Sequence, residues 1–384
     1  MVTTKIGNAL DFLTFFEGMP EPRQRAKVLY PLSEPLLCCL VGVICGANGW
    51  VEIEEYCEAK LGFLRRFLPF EQGIASHYTF SDVFNALDRE AFASAFIAWA
   101  GALQENIREI IAIDGKTLRR SFDRARGRGA IHMISAWASG QRLVLGQMNV
   151  DAKTNEITAI PELLALLSLK GAIVTVDAIG YQKKIAKVIR SAGADYLLAL
   201  KQNHETLHRD VIEFLEEQRT RGFADCAAGR WQTLETTDAD HGRIEVRNHW
   251  IVDDIEWLKE RHPEWLDLTS IAMVESLVQT PGGPTSSQTR YYIASLRANA
   301  NEFATAARQH WGVGSGLHYV LDVVFREDDC RIRSQNGPAN FATFRHLALN
   351  MLQRTQTPKK KSIRVKRGLA AISDEFLAQV LTAP

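Results

Sequence analysis

The 384-residue chain lacks a net charge, because 45 Lys and Arg are matched by 45 Asp and Glu. That balance excludes a uniformly basic nucleic-acid binder but leaves room for a local basic face. No CxxC pair occurs among Cys38, Cys39, Cys45, Cys57, Cys226 and Cys330, which argues against a cysteine zinc site. No basic start followed by a long apolar run opens the chain, since Met1–Phe16 is short and mixed. The longest apolar stretch, "PLLCCLVGVICGA" (Pro35–Ala47), is too short to span a bilayer and reads as a core helix. No internal repeat is visible. These absences predict a soluble cytoplasmic protein with reduced thiols, and the length predicts two or three lobes.

What is present changes character along the chain. Apolar residues recur at helical spacing from about 20 to 105. There "GIASHYTFSDVFNAL" offers Ser76 as an N-cap before a helix carrying Phe80, Val83, Phe84 and Leu87. A helix-turn-helix and an ordinary helical bundle are both open readings of this region. Beyond it, "REIIAIDGKTLRRS", "AIHMISAWAS" and "RLVLGQMNVD" look like a meander. "GAIVTVDAIG" and "DYLLALK" read as buried strands alternating with helices, which predicts a mixed α/β sheet. From about Asn203 to Arg290 a polar helix and several β-like pieces interrupt that rhythm, and "RYYIASL" resumes it. The expected organisation is a helical region 1–105, a first core part 106–203, an insertion 204–290, a second core part 291–355 and a basic tail 356–384.

Asp114 and Asp177 each close an apolar strand. On neighbouring strands they would bring two carboxylates to one sheet edge, where hard divalent ions bind and can assist phosphodiester cleavage. The alternatives are a hairpin turn at Asp114-Gly115 and a helix cap at Asp177. Basic groups lie close by in Lys116, Arg119, Arg120 and Lys201, with Asn203 beside the last, and solvated lysines explain them equally well. Near the C-terminal end, "HWGVGSGLHYVLDVVF" carries Gly312, Gly314 and Gly316 at alternate positions of an apparent helix. Each costs roughly 1 kcal/mol relative to alanine. His310, Trp311, His318 and Tyr319 read there as helix-packing aromatics.

The runs "IAIDGKTLRRS", "NEITAIPELLALLSLKGAIVTVDAIGYQK", "YLLALKQNHETLH", "HGRIEVR" and "RQHWGVGSGLHYVLDVVFREDDCRIR" together resemble the ISAs1 family of insertion-sequence transposases. These belong to the IS4-like DDE group and are close to the H-repeat-associated proteins. The resemblance covers nearly the whole chain, in order. It implies an RNase H-like mixed sheet interrupted by a β-rich insertion and preceded by an all-helical domain. It also implies DNA transposition with Mg²⁺ or Mn²⁺, acting on terminal inverted repeats and target DNA, with a homodimer assembled on the DNA and no membrane. Bound to DNA, such a protein would be nucleoid-associated.

By this resemblance Asp114 and Asp177 fall on the first and second catalytic aspartates. His241, Arg243 and Arg247 become DNA-contact candidates. The family's C-terminal helix reads His-Trp-x-Ile-Glu-Asn-x-Leu-His, so Gly314 stands where the third carboxylate is expected. Asp322 lies eight residues on, roughly 12 Å along a helix, too far to replace it without rearrangement. The expected protein is a transposase with impaired or absent catalysis. The alternatives are an inactive DNA-binding descendant, acting as end-binder or repressor, and a plain metal-dependent nuclease.

Overall fold

The computed structural model describes residues 11–104, 108–123, 127, 129–150, 156–177, 182–201, 204–240, 243–279 and 284–383. Its N-terminal region is helical, with α1 (Asp11–Thr14), α2 (Ser33–Cys45), α3 (Trp50–Ala59), α4 (Leu61–Leu64), α5 (His77–Ala86) and α6 (Arg89–Leu103). Ser76 caps α5 by accepting from the Thr79 amide at 3.4 Å, and Asp88 caps α6 through the Ala91 amide at 2.7 Å. The apolar stretch of α2 is buried on every side, which is why it could be so uniformly hydrophobic. No single described helix is long and apolar enough to cross a membrane.

Of the two readings of this region, the bundle is the one that forms. Residues 65–76 separate α4 from α5, far more than the three or four residues of a helix-turn-helix turn. The inner face of α5 packs instead on α12 (Gly337–Arg354), with the Phe84 and Phe344 rings 5.1 Å apart. Asn340 donates to the carbonyls of Phe84 and Leu87 at 2.8 and 3.0 Å. The bundle's centre is therefore supplied by the far end of the chain.

The core strands are β1 (Ile110–Thr117), β2 (His132–Ala138), β3 (Leu143–Val150), β4 (Ile173–Val176) and β5 (Asp195–Ala199). Helices α7 (Glu156–Ala165) and α8 (Lys183–Ser191) connect β3, β4 and β5. Strands β1–β3 form the expected antiparallel meander, while β1, β4 and β5 run parallel. The four residues of β4 are all buried, as a strand covered on both faces requires.

The interrupting segment holds α9 (Glu205–Thr220), β6 (Trp231–Asp240), β7 (Arg243–Val252), α10 (Glu256–Arg261) and β8 (Ser270–Gln279) before β9 (Ser286–Ala294). Its strands extend the core's own sheet, because β9 pairs antiparallel with β5 and carries β8, β7 and β6 behind it. The result is one nine-stranded mixed sheet in the order β3-β2-β1-β4-β5-β9-β8-β7-β6.

Helix α11 (Ala300–Val313) crosses the sheet and continues as two π-helical stretches, Gly314–His318 and Val320–Val324. The Phe325 amide donates to the Val320 carbonyl at 3.2 Å, the i→i+5 pattern of such a widened helix.

The basic tail is a correction. Residues 356–383 hold α13 (Ile363–Ile372) and α14 (Asp374–Leu381), packed on the bundle. Lys366 turns inward to the carbonyls of Leu352 and Thr355 at 2.7 and 2.8 Å. Arg367 donates to the Val43 carbonyl and lies 4.2 Å from the Phe325 ring centre. Unpaired helix-end carbonyls draw these cations in, leaving Lys359, Lys360 and Arg364 exposed.

Candidate active site

Strands β1 and β4 pair with Ile113 opposite Val176. The next residues are Asp114 and Asp177, so the two carboxylates follow the same register where the parallel pairing of β1 and β4 ends, β1 itself running on to Thr117 beside β2. Such strands lie about 4.8 Å apart. Asp114 is still within β1, paired with Ser135 of β2, so it does not make the hairpin turn that Asp114-Gly115 also suggested.

Helix α11 lies over this edge. His310 is buried and its Nδ1 sits 2.9 Å from the hydroxyl of Thr175, two residues before Asp177 on the same face. Burial holds the His310 pKa below its ordinary value, although the charges of Asp114 and Asp177 both pull it upward. Eight residues on, Nε2 of His318 lies 3.0 Å from Oδ2 of Asp114. Gly314 falls midway, on the helix face defined by His310 and His318. Its backbone is helical (φ −59°, ψ −49°), and a Cβ built there meets nothing within 4 Å. Gly316 differs, since its Cβ would stand 3.2 Å from the Trp137 ring. One glycine lets the helix approach the sheet; the other leaves room.

The acids further along do not fill that room. Asp322 bonds to Nζ of Lys116, and Glu327 reaches the same ammonium at 2.7 Å. Arg326 takes a left-handed conformation (φ 51°) that turns Glu327 inward. There Glu327 also faces Arg345 at 3.8 Å, both side chains being 2% exposed. Desolvation pushes the Glu327 pKa up, but Lys116, Arg345 and His346 outweigh it and hold it below the ordinary value. Lys116 stays charged for the complementary reason, its own desolvation being overcome by Glu327 and Asp322.

His346 sits in the same buried cluster, and burial pushes its pKa down to about 4. Above the free value of 6.5 the imidazole is neutral in both folded and unfolded chains. Below it, only the unfolded chain takes up the proton. Stability should therefore fall as pH drops from 6.5 towards 4, by on the order of 3 kcal/mol. Unfolding midpoints measured across that range should show the fall, and His346→Gln should flatten it. An unchanged slope in that variant would remove His346 as the source.

The basic candidates divide. Lys116 is committed to two acids. Arg119 and Arg120 are exposed and pair loosely with Asp328 and Asp329, each at 3.4 Å. Lys201 is exposed at the end of β5 beside a 420 Å³ cavity that also touches Asp177, His208, Arg290, His310 and Trp311. Arg243 is exposed at the start of β7, whereas Arg247 is mostly buried and paired with Asp238 and Glu245. Asn203 and His241 lie outside the described residues. Trp311 and Tyr319 are not packing aromatics; they are 48% and 60% exposed, and Arg290 stacks 4.1 Å from the Trp311 ring centre.

Two in-register carboxylates suit a hard divalent cation that completes its shell with water and phosphate oxygens. Among the described residues no three His, Cys, Asp or Glu side chains are grouped closely enough to hold a metal by themselves.

The sheet edge, its in-register aspartates and the helix across them belong to a mixed α/β protein with a nine-stranded sheet. Residues 105–351 match the model described as Transposase DDE domain, and residues 13–100 match the one described as DDE_Tnp_1-associated. The chain belongs to the DDE transposase family. It is 40% identical over 368 residues to "H repeat-associated putative transposase YhhI" of Escherichia coli K12, covering 94% of this chain and 95% of that protein. It is 38% identical over 374 residues to "Putative transposase YncI" of Escherichia coli O157:H7, covering 97% and 94%. Among solved structures, a piggyBac transposase synaptic complex with hairpin DNA aligns over 94% of this chain and 76% of that one, at 12% identity and a TM-score of 0.44.

Proposed function

We propose that this chain is a DNA transposase of the ISAs1 type, with an RNase H-like core, that recognises element ends and has lost most of its cleavage activity at one position. The observation that carries the proposal is the conjunction at the sheet edge: Asp114 and Asp177 follow in register, and Gly314 lies on the helical repeat between His310 and His318, which contact Thr175 and Asp114. Divalent cations, Mg²⁺ or Mn²⁺, would supply Lewis acidity and an activated water at such a site. Asp114 and Asp177 would hold them. Without a carboxylate at 314 the second ion's seat is incomplete and the attacking water is poorly placed.

Duplex DNA is the proposed partner, bound as a homodimer on the element's ends in the cytoplasm, at the nucleoid. Lys201, Arg243, Arg119 and Arg120 are the exposed cations available to its phosphates, the last two after exchanging a weak surface ion pair for a phosphate. Lys116 and Arg247 serve differently, holding carboxylates and shaping the surface. The reading of an inactive end-binding descendant is favoured by the same glycine and differs only in how much cleavage survives.

Binding of the terminal repeats, measured by fluorescence anisotropy without divalent metal across a salt series, tests the DNA reading. Each of Lys201→Ala and Arg243→Ala should weaken binding and lower the salt slope by about one. Undiminished affinity and slope in both variants would remove these residues from the interface.

A further inference from the structure

We infer that His318 is a metal ligand in this chain, placing an imidazole nitrogen beside Asp114 where no third carboxylate is available. The inference rests on the proposed cation edge at Asp114 and Asp177. Its starting point is a distance. Nε2 of His318 and Oδ2 of Asp114 are 3.0 Å apart, and adjacent ligands of an octahedral ion at about 2.1 Å are separated by √2 times that length, about 3.0 Å. A cation can therefore take both atoms without their moving apart.

The position of His318 is fixed by its surroundings. Leu317 before it is fully buried, and Gly316 brings the helix against Trp137 so closely that a methyl group would stand 3.2 Å from the ring. The turn presenting the imidazole is thus held to the sheet, as a ligand-bearing element needs to be. His318 also lies one turn beyond Gly314 on the same helix face. No neighbour dictates the imidazole tautomer from the other side, because Nδ1 is buried with no hydrogen-bond partner among the described residues. On metal binding the ring proton moves to Nδ1 and the Nε2 lone pair goes to the ion. The imidazole stays neutral and Asp114 exchanges one hydrogen bond for a metal bond. Asp114 and His318 would then supply two positions, leaving the rest to water and substrate oxygens.

Imidazole changes which ion is preferred. Mg²⁺ favours oxygen ligands, whereas later divalent ions accept nitrogen readily and Mn²⁺ accepts both. The chain should therefore bind Mn²⁺ at least tenfold more tightly than Mg²⁺.

The test is electron spin-echo spectroscopy of Mn²⁺ bound to the full chain, together with Mn²⁺ titration and Mg²⁺ competition. The expected result is modulation from a directly bound imidazole nitrogen in the parent protein. It should vanish in His318→Gln and persist in His310→Gln and His208→Gln, the other imidazoles near the site. His318→Gln should also lose at least tenfold in Mn²⁺ affinity and less than threefold in Mg²⁺ affinity. Absence of nitrogen modulation in the Mn²⁺-loaded parent overturns the assignment and requires no variant to fold. Equal losses for both ions would make His318 a positioning donor to Asp114, and also overturn it. If Asp114→Ala, folded by circular dichroism, still binds Mn²⁺ as the parent does, the cation edge itself is wrong. If Asp114→Ala abolishes binding while His318→Gln leaves it intact, the edge stands and only the His318 assignment falls.

Discussion

Gly314→Glu should raise metal-dependent cleavage of duplex DNA carrying the element's own ends, on the order of a thousandfold over the parent chain. Three features of position 314 support so large a gain. Its backbone already has helical angles that any L residue adopts. A Cβ there meets nothing within 4 Å, so the new side chain displaces no atom. It also stands one turn from both His310 and His318, the residues that mark the two aspartates from above. Glycine inside a helix costs about 1 kcal/mol relative to other residues, so the variant should not unfold more readily than the parent. Cleavage by Gly314→Glu that disappears in the Asp114→Ala double variant would establish a transposase disabled at one ligand. Vigorous cleavage by the parent, lost in Asp114→Ala, would show that the missing carboxylate is not limiting. Gly316→Ala is the contrasting control, because its methyl group enters the space of Trp137.

The largest expected loss of stability belongs to Glu327→Ala. Glu327 is buried between Lys116 and Arg345, and removing one partner of a buried ion cluster strands the others at a cost of about 3–5 kcal/mol. Lys116 would keep Asp322, but Arg345, 2% exposed, would lose the carboxylate it faces while remaining in the core. Glu327→Gln keeps the shape and a hydrogen-bond acceptor, so it should lie between the parent and the alanine variant. Denaturant unfolding followed by tryptophan fluorescence measures the order. Because the Glu327 pKa is held low, its contribution is present above the ordinary glutamate range and is lost as pH falls through the folded value. A Glu327→Ala variant as stable as the parent would mean that this cluster does not tie β1 to α12.

Much of this arrangement was legible in the linear order of residues because its signals are local. An apolar run that ends in a charge identifies the end of β4 before Asp177, whereas β1 runs three residues past Asp114, to Thr117; Ser76 announces the helix it caps. The continuous apolar character of "AIVTV" shows a strand covered on both faces. What stayed hidden is long-range. Nothing near Lys116 says that its partners lie 206 and 211 residues away. Lys366 and Arg367 carry the composition of a solvated tail, yet free helix-end carbonyls in the bundle capture them. Trp311 and Tyr319 share helical spacing with buried residues, but the face they occupy looks outward and the helix widens between them. His318 looked like one more packing aromatic, and only the fold shows it touching Asp114.

The placement of α12 has a consequence for how the protein is made. The helices of residues 11–103 enclose a segment that leaves the ribosome some 240 residues after they do. Until residues 337–354 emerge, Phe84, Phe92 and Trp50 lack the rings of Phe341 and Phe344 that pack on them. A translation product that stops short cannot close its amino-terminal bundle and presents those rings to chaperones and proteases.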